Sequence, residues 1–171
     1  MEGIVMRIIV VSDSHGNYRA LETVFLRNAD AEWFIHLGDG ERELDNFIIN
    51  HPEFTSKVIH VAGNCDVGSL SESFFVLPLP EGHKLFATHG HRYAVKNDLE
   101  ILRKNAEMLG CDIVLYGHTH VRYNKHEDGM YILNPGSCSS PHDGTKPSFG
   151  TIDISPSGVL VNIADVRPSI I

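Results

Sequence analysis

The segment Gly117-His118-Thr119-His120 combines residue types and spacing that suit metal chemistry. Its two histidines directly follow the apolar run at residues 113–116, which is typical of an interior parallel strand. Imidazole is the commonest metal ligand in proteins, and two rings at one strand end can each reach a cation. An isolated His-x-His is equally compatible with loop histidines bonded to the backbone, so the interpretation depends on the rest of the chain.

Polar side chains of the same kind follow earlier strand-like segments. Because parallel strands present their carboxyl ends at one sheet edge, where open α/β folds bind ligands, we expect these side chains to converge. Taken singly, Asp13 is also explained as a helix cap, and Asp39 and Asn64 as turn residues. Their recurrence at strand ends favours one shared site. The candidate ligands are Asp13, His15, Asp39, Asn64, His89, His118 and His120.

This donor set indicates the kind of metal centre. It offers oxygen and nitrogen atoms without requiring a thiolate. Two six-coordinate divalent cations that share a carboxylate and a hydroxide, with open positions for substrate, need about this many protein ligands. Mixed imidazole and carboxylate ligation favours transition metals over Ca²⁺ or Mg²⁺. We therefore expect two divalent metal ions, with Mn first and Ni, Fe, Co or Zn as alternatives.

The first third of the chain alternates between strand and helix signals. Strands are predicted at residues 7–11, 32–37 and 57–62, and helices at residues 18–28 and 41–50. Asn17 has the residue type of a helix N-cap. This order, with a polar turn after each strand, is typical of right-handed βαβ units and of a parallel sheet.

The remainder of the chain mixes one strong helix signal with antiparallel-looking strands. The helix is predicted at residues 97–109, with Asn97 and Glu100 as a capping box and Gly110 at its C′ position. Strands are predicted at residues 73–77, 83–88, 113–116, 121–125, 130–133, 149–154 and 159–166. The sequence thus predicts a single α/β domain over residues 1–171, a four-layer α/β/β/α sandwich of two mixed sheets flanked by helices.

The charge and cysteine content of the chain exclude some classes of binding partner and predict its compartment. The formal net charge is −8 at pH 7, and the basic residues are scattered. This argues against a generic nucleic-acid surface and a membrane anchor, while bound cations would still admit a small anionic substrate. An odd number of cysteines without a CxxC pattern, and no signal-peptide or membrane-length apolar run, predict free thiols and a cytoplasmic protein. Exposure within residues 74–77 would indicate a homo-oligomer.

The ordered motifs resemble the signature of the metallophosphoesterase (calcineurin-like) superfamily over residues 7 to about 140. With two further motifs, the chain is most similar to the small phosphodiesterases of the YfcE type. The combined pattern is specific, although no single motif is. The motifs are Asp13-Ser14-His15, Gly38-Asp39, Gly63-Asn64-Cys65-Asp66, His89-Gly90-His91, Gly117-His118-Thr119-His120 and Asn134-Pro135-Gly136-Ser137.

The resemblance implies a hydrolase with a binuclear metal centre and a role for each ligand. Asp13, His15 and His120 would hold one metal, Asn64, His89 and His118 would hold the other, and Asp39 would bridge. A bridging hydroxide would attack phosphorus in line, while Asn64 would also donate a hydrogen bond to a phosphate oxygen. The expected activity is two-metal-dependent phosphodiester hydrolysis of a small phosphate ester.

One position departs from the pattern of the family. Where many members carry a histidine thought to protonate the leaving group, this chain has Cys65. A thiol is a poor substitute, so substrates with good leaving groups are expected. His91 is a candidate catalytic replacement, with a phosphate-contact or ligand-supporting role as the alternative.

Two other functions are compatible with the same resemblance. A phosphomonoesterase or nucleotide phosphatase would use the same metal site. A non-catalytic scaffold similar to the retromer subunit of this superfamily would use the fold for protein contacts. Such a scaffold has no reason to keep every ligand, and this chain has a candidate for each.

Overall fold

The computed structural model describes residue 3 and residues 5–167. Three α-helices and ten β-strands lie within these residues. The strands are β1 (Met6–Val11), β2 (Trp33–His36), β3 (Val58–His60), β4 (Phe74–Pro78), β5 (Lys84–Thr88), β6 (Ile113–Leu115), β7 (Arg122–Glu127), β8 (Met130–Pro135), β9 (Ser148–Ser155) and β10 (Gly158–Asp165). The helices are α1 (Tyr18–Arg27), α2 (Glu41–Asn50) and α3 (Glu100–Met108).

The strands form two five-stranded mixed sheets. The first has the order β10-β9-β1-β2-β3, in which β1, β2 and β3 are parallel and β9 and β10 pair antiparallel. The second has the order β4-β5-β6-β8-β7, in which β5, β6 and β8 are parallel and the outer strands are antiparallel. The parallel strands of each sheet therefore end at a common edge.

Alternation along the strands divides the apolar side chains among three cores. Ile8 and Val10 of β1 face the second sheet and pack with residues such as Leu115 of β6. Ile9 and Val11 face the opposite way and pack under α1 and α2. The outer face of the second sheet packs against α3. This order of layers confirms the predicted α/β/β/α sandwich.

Backbone hydrogen bonds join the loops that leave the two sheets. The Asp13 amide donates to the Gly38 carbonyl oxygen at 3.0 Å, which ties the β1 loop to the β2 loop. The Gly117 amide donates to the His89 carbonyl oxygen at 2.9 Å, which ties the β6 loop to the β5 loop. Between the sheets, His89 Nδ1 lies 2.7 Å from the Leu37 carbonyl oxygen. The loops that follow β1, β2, β3, β5 and β6 carry the predicted site residues and form one connected edge, which we call the rim.

Helix termini agree with the sequence predictions except at the start of α3. Asn17 caps α1, since its side-chain oxygen accepts from the Ala20 amide at 3.1 Å. The predicted capping box at Asn97 is wrong, because α3 begins at Glu100 without a side-chain cap on the preceding residue. Instead, Asp98 accepts from the Glu100 amide at 2.9 Å. Gly110 has a φ of +69° just after α3, as predicted for the C′ position.

Two other expectations concern the cysteines and membrane-spanning helices. Cys65, Cys111 and Cys138 are all free, and Cys65 is exposed, which confirms the prediction of free thiols. Among the residues that the structure describes, no helix is both long and apolar enough to cross a membrane.

We expect Phe47→Ala to lower the free energy of unfolding by about 3–5 kcal/mol, because the substitution leaves a cavity under α2. Phe47 is fully buried, and its ring lies against Phe25 and Phe54. Urea denaturation followed by circular dichroism measures the change. Ile49 lies on the same helix and is 74% exposed, so Ile49→Ala should change stability by no more than about 0.5 kcal/mol. Equal losses in both variants would contradict the assigned helix face.

Candidate metal centre

The rim contains a concentration of left-handed backbone conformations. Such a conformation costs a non-glycine residue on the order of 1 kcal/mol and persists only where surrounding contacts enforce it. Five candidate ligands adopt it, which marks the rim as a place where backbone strain is retained for side-chain placement. The residues are Asp13 (φ +54°), His15 (+42°), Asp39 (+58°), His118 (+66°) and His120 (+55°).

Two glycines allow the loops to approach the carboxylates. A Cβ placed on Gly63 would collide with the Asp39 carboxylate and backbone amide. A Cβ on Gly117 would collide with Ser12 Oγ and lie 2.9 Å from Asp13 Oδ2. The glycines in the Gly-Asn and Gly-His motifs are therefore required because backbone and carboxylate meet without room for a side chain.

The first donor group consists of Asp13, His15 and His120. Asp13 is fully buried, and its Oδ2 accepts hydrogen bonds from Ser12 Oγ at 2.6 Å and from the His118 amide at 3.1 Å. Its Oδ1 has no hydrogen-bond partner, yet lies 3.2 Å from His120 Nε2 and 3.9 Å from His15 Nε2. A buried carboxylate oxygen without a partner, facing two imidazole nitrogens, fits a cation-binding position.

The second donor group consists of Asp39, His89 and His118. His89 Nε2 lies 3.4 Å from Asp39 Oδ2 and 3.1 Å from Asn64 Oδ1. Asp39 Oδ2 is also 3.8 Å from His15 Nε2 of the first group. Asp39 therefore lies between the two groups, as a bridging ligand must. The structure brings all the predicted ligands together.

Two histidines are oriented by backbone carbonyls. His89 Nδ1 lies 2.7 Å from the Leu37 carbonyl oxygen, and His120 Nδ1 lies 2.7 Å from the Ser140 carbonyl oxygen. Because a carbonyl oxygen only accepts, each Nδ1 carries the proton in these bonds. The Nε2 atom of each ring faces the donor groups. This is the usual support of metal-binding histidines, in which the second nitrogen is held by an outer partner.

The carboxylates are ionised in spite of their burial. Burial by itself raises the pKa of Asp13, but the nearby His120 imidazole and the charge of His89 outweigh it, so the pKa lies below its ordinary value. In the same way, His89 and the Cys65 amide overcome the burial of Asp39 and hold the pKa of that carboxyl well below its usual range. The centre therefore presents negative charge to a cation at neutral pH.

The histidines divide into two kinds. The Asp13 carboxylate, 3.2 Å from Nε2, raises the pKa of His120, against the effect of burial. Burial alone would lower the pKa of His89, but the Asp39 and Asp13 carboxylates outweigh burial, so the pKa is raised. Burial, the charge of His89 and the charge of Lys96 lower the pKa of His118 to about 4. Protons therefore compete with a divalent cation more strongly at His89 and His120 than at His118, whose ring is neutral at pH 7.

Asp66 is a supporting residue whose main role the sequence did not reveal. Its carboxylate accepts hydrogen bonds from four backbone amides at 2.8–3.0 Å, those of Asp39, Gly40, Glu41 and Gly63. These amides belong to the loops after β2 and β3. Burial works against ionisation of Asp66, but His60 and these amides hold its pKa well below the usual range. A single carboxylate thus fixes the loop of Asp39 relative to the loop of Asn64.

A second support lies under the β1 loop. Ser14 Oγ donates to Glu43 Oε1 at 2.6 Å, and the Gly16 amide donates to the same oxygen at 2.6 Å. His36 Nε2 lies 2.9 Å from Ser14 Oγ, and His36 Nδ1 accepts from the Gly38 amide at 3.1 Å. His36 is therefore a satisfied interior residue. The alternation of side chains along β2 predicts the burial of His36. The sequence indicates nothing about Glu43 beyond its position on α2.

A third support comes from the Asn134-Pro135-Gly136-Ser137 motif. Asn134 Nδ2 donates to the Gly117 carbonyl oxygen at 3.0 Å and to Thr119 Oγ1 at 2.9 Å. Ser137 Oγ donates to the Asp13 carbonyl oxygen at 2.7 Å. The motif therefore holds the loop of His118 and His120 against the loop of Asp13.

Cys65 and His91 lie at different edges of the centre. Cys65 Sγ lies within 4.8 Å of a ligand atom of His15 and of Asp39, and it accepts a hydrogen bond from Asn64 Nδ2 at 3.4 Å. Burial and the neighbouring Asp39 raise the pKa of this thiol. The His91 ring lies 5.3 Å from His89 and 6.1 Å from His118 between ring centres. Burial and the charge of His89 lower the pKa of His91, and its Nδ1 is buried without a partner.

Comparison with known proteins identifies similar sequences over nearly the whole chain. Residues 6–157 match the family model of the calcineurin-like phosphoesterase superfamily domain. The chain is 30% identical over 162 residues to the probable metallophosphoesterase YsnB of Bacillus subtilis, covering 94% of this chain and 91% of that protein. It is 29% identical over 178 residues to phosphodiesterase YfcE of Escherichia coli, covering 87% of this chain and 88% of that protein.

Solved structures show the same architecture. A predicted phosphoesterase from Streptococcus pneumoniae is 29% identical, with a TM-score of 0.81 over 96% of this chain and 94% of that chain. Vacuolar Protein Sorting 29 from Cryptosporidium parvum has a TM-score of 0.77 at 20% identity, over 96% of this chain and 93% of that chain. At that identity, the second likeness shows the fold alone.

We expect Asp66→Asn to lower the free energy of unfolding by about 3 kcal/mol at neutral pH, because an amide group turns an NH₂ toward backbone donors. The folded-state pKa of Asp66 is depressed, so its stabilisation is complete above the unfolded pKa and is lost as the pH falls below about 4. The difference between wild type and variant in urea denaturation should therefore shrink on acidification. Asp45→Asn, at an exposed carboxylate of α2, is the matched control. A difference that grew at low pH would contradict the assignment.

Proposed function

The chain belongs to the calcineurin-like phosphoesterase superfamily, and on that premise we propose that it is a metal-dependent phosphoester hydrolase that acts on diesters. The observation that carries the proposal is the position of Asp39. Its Oδ2 faces His89 Nε2 at 3.4 Å and His15 Nε2 at 3.8 Å, so one carboxylate serves both donor groups. The name of the relative YfcE, a phosphodiesterase, supports the choice of diesters.

The proposed centre holds two divalent cations, with Mn first and Ni, Fe, Co or Zn as alternatives. Asp13, His15 and His120 would bind one cation, Asn64, His89 and His118 the other, and Asp39 both. The unpartnered Oδ1 of buried Asp13 supports this assignment. Bound cations would supply a water activated for attack on phosphorus and positive charge on the phosphoryl oxygens.

The residues of the chain would orient the ester and its leaving group. Asn64 Oδ1 faces His89, while Asn64 Nδ2 points toward the exposed Cys65 and can donate to a phosphoryl oxygen. We propose His91 as the residue that faces the leaving group from the His89 side. Transfer of a proton from His91 needs the charged ring, which burial disfavours. Esters with good leaving groups, which need no proton, are therefore the favoured substrates.

The proposed partner is a small phosphate ester. The net charge of −8 supports neither a generic nucleic-acid surface nor binding to an anionic membrane. Phe74 is 42% exposed, which is compatible with the expected homo-oligomer. Cytoplasmic localisation also stays a prediction. A non-catalytic scaffold would need the fold but not the strained backbone and converging donors of the rim.

The experiment that tests the proposal measures turnover of bis(4-nitrophenyl) phosphate and of 4-nitrophenyl phosphate. The protein is stripped with EDTA and then given Mn²⁺. We expect no turnover without metal, recovery with Mn²⁺ and a higher kcat/KM for the diester. Asp39→Ala should lower kcat/KM by on the order of 10³-fold, because loss of cation stabilisation costs several kcal/mol in the transition state. Circular dichroism checks that the variant keeps its fold.

Other outcomes select among the alternatives. A preference for the monoester would replace the diesterase with a phosphatase on the same site. Two bound ions without turnover of either ester would favour the scaffold. Wild-type activity in metal-loaded Asp39→Ala would remove Asp39 from the centre.

We expect Cys65→His to accelerate hydrolysis of diesters with phenolate leaving groups by about tenfold or more, since an imidazole can protonate the departing oxygen. Diesters that release 4-nitrophenolate need less protonation and should gain less. Steady-state rates with paired substrates measure the difference, and Cys65→Ser serves as the control for loss of the thiol. Equal gains with both leaving groups would mean that residue 65 does not face the departing oxygen.

A further inference from the structure

A mainly apolar pocket of about 520 Å³ is lined in part by Thr119, which belongs to the loop that carries His118 and His120. This volume falls within the range of about 300–1,000 Å³ that is typical of small-molecule sites. Its aliphatic wall is formed by Val95, Leu99 and Val121. Tyr116 and Tyr123 also line it, with ring centres 6.2 Å apart and ring planes tilted by 59°. The pocket therefore suits a flat apolar group.

The wall of the pocket is continuous with the turn that carries two site histidines. Gly90 lies between His89 and His91, and a Cβ on Gly90 would be 2.9 Å from Val95 Cγ2 and 3.5 Å from Tyr116 Cβ. The φ of Gly90 is +105°, which a side chain would strain. The pocket thus packs directly on the turn after β5.

A second connection runs through the loop after β6. Thr119 lines the pocket and lies between His118 and His120 in sequence. Its hydroxyl is fixed, because it accepts from Asn134 Nδ2 at 2.9 Å and from the Val121 backbone amide at 3.2 Å. A group bound in this pocket would therefore be next to a phosphate held by the candidate ligands.

The charge of the pocket matches an anionic substrate. Lys96 is the charged residue among the described residues that line it, and no carboxylate does so. The Tyr123 hydroxyl donates to Glu127 Oε1 at 3.0 Å, outside the lining residues, which holds the ring in place. A phosphate at the mouth would meet a cation rather than an acidic group.

We propose that this pocket binds an aromatic ester group of the diester substrate, so that the enzyme prefers aryl or nucleobase-bearing phosphodiesters. The proposal rests on the phosphodiesterase function proposed above. Its physical basis is burial of an aromatic face against the aliphatic wall and the two tyrosine rings, within reach of the His89-Gly90-His91 turn.

The kinetic test compares 4-nitrophenyl phenyl phosphate with methyl 4-nitrophenyl phosphate in the Mn²⁺-loaded protein. Both esters release 4-nitrophenolate, so the ratio of their kcat/KM values reports on the second ester group. We expect a ratio of about tenfold or more in favour of the phenyl ester, because a phenyl group buries more apolar surface than a methyl group. Val121→Trp should fill the pocket and reduce the ratio toward one, mainly through KM of the phenyl ester.

Val121 is 40% exposed, so a larger side chain there does not disturb a core. The matched control is Ile49→Trp, which places the same side chain at a 74% exposed position on α2 and should keep the wild-type ratio. A wild-type ratio near one, or a ratio that Val121→Trp leaves unchanged, would overturn the proposal.

A binding measurement separates failure of this proposal from failure of the proposed function. Phenylphosphonate and methylphosphonate carry a P–C bond that an esterase does not cleave, and calorimetry gives their Kd values for the Mn²⁺-loaded protein. Tighter binding of phenylphosphonate that Val121→Trp abolishes, without turnover of any ester, would retain the pocket and reject the diesterase. Turnover of esters with equal phosphonate affinities would retain the diesterase and reject the pocket.

Discussion

The hydrogen bond between His89 Nδ1 and the Leu37 carbonyl oxygen, at 2.7 Å, joins the two sheets at the place where their functional loops meet. His89 directly follows β5 of the second sheet and Leu37 directly follows β2 of the first, and both are fully buried. This bond fixes the ring so that Nε2 faces Asp39 and Asn64, in the loops after β2 and β3. A different spacing between the sheets would separate the two halves of the donor set. The intersheet core therefore sets the geometry of the centre.

Charge compensation lets the carboxylates of Asp13 and Asp39 remain buried. Asp13 relies on the ring of His120, the Ser12 hydroxyl and the His118 amide, whereas Asp39 relies on His89 and the Cys65 amide. Each carboxylate thus has partners from more than one loop. Removal of any partner would leave part of a buried charge unpaired, which is more costly than loss of the same bond at the surface. The charge balance of the site therefore depends on the packing of its loops.

The sequence predicts the layers and the convergence of the candidate ligands because both depend on local periodicity and on which residue ends a strand. It does not predict the supports. Asp66 accepts amides from two loops that are separated in the chain, and no spacing rule reveals such a set. The false capping box at Asn97 has a different cause, because Asp98 accepts from the first amide of α3 through a local hydrogen bond. Tertiary hydrogen bonds decide the first case and competition between neighbouring side chains decides the second, and the ligand assignment stays a prediction.

The residues with left-handed backbone conformation at the rim limit which substitutions the chain can accept during evolution. Glycine would relieve the strain at positions such as Asp13 or His118, but it would remove the donor that the strain holds in place. At on the order of 1 kcal/mol each, these conformations take up a sizeable part of the stability of about 5–15 kcal/mol that is usual for a domain. Selection for thermal stability and selection for turnover would therefore oppose each other at the same positions. The core under α1 and α2, which does not lie between the sheets, carries no such conflict, so stabilising substitutions can accumulate there without loss of activity.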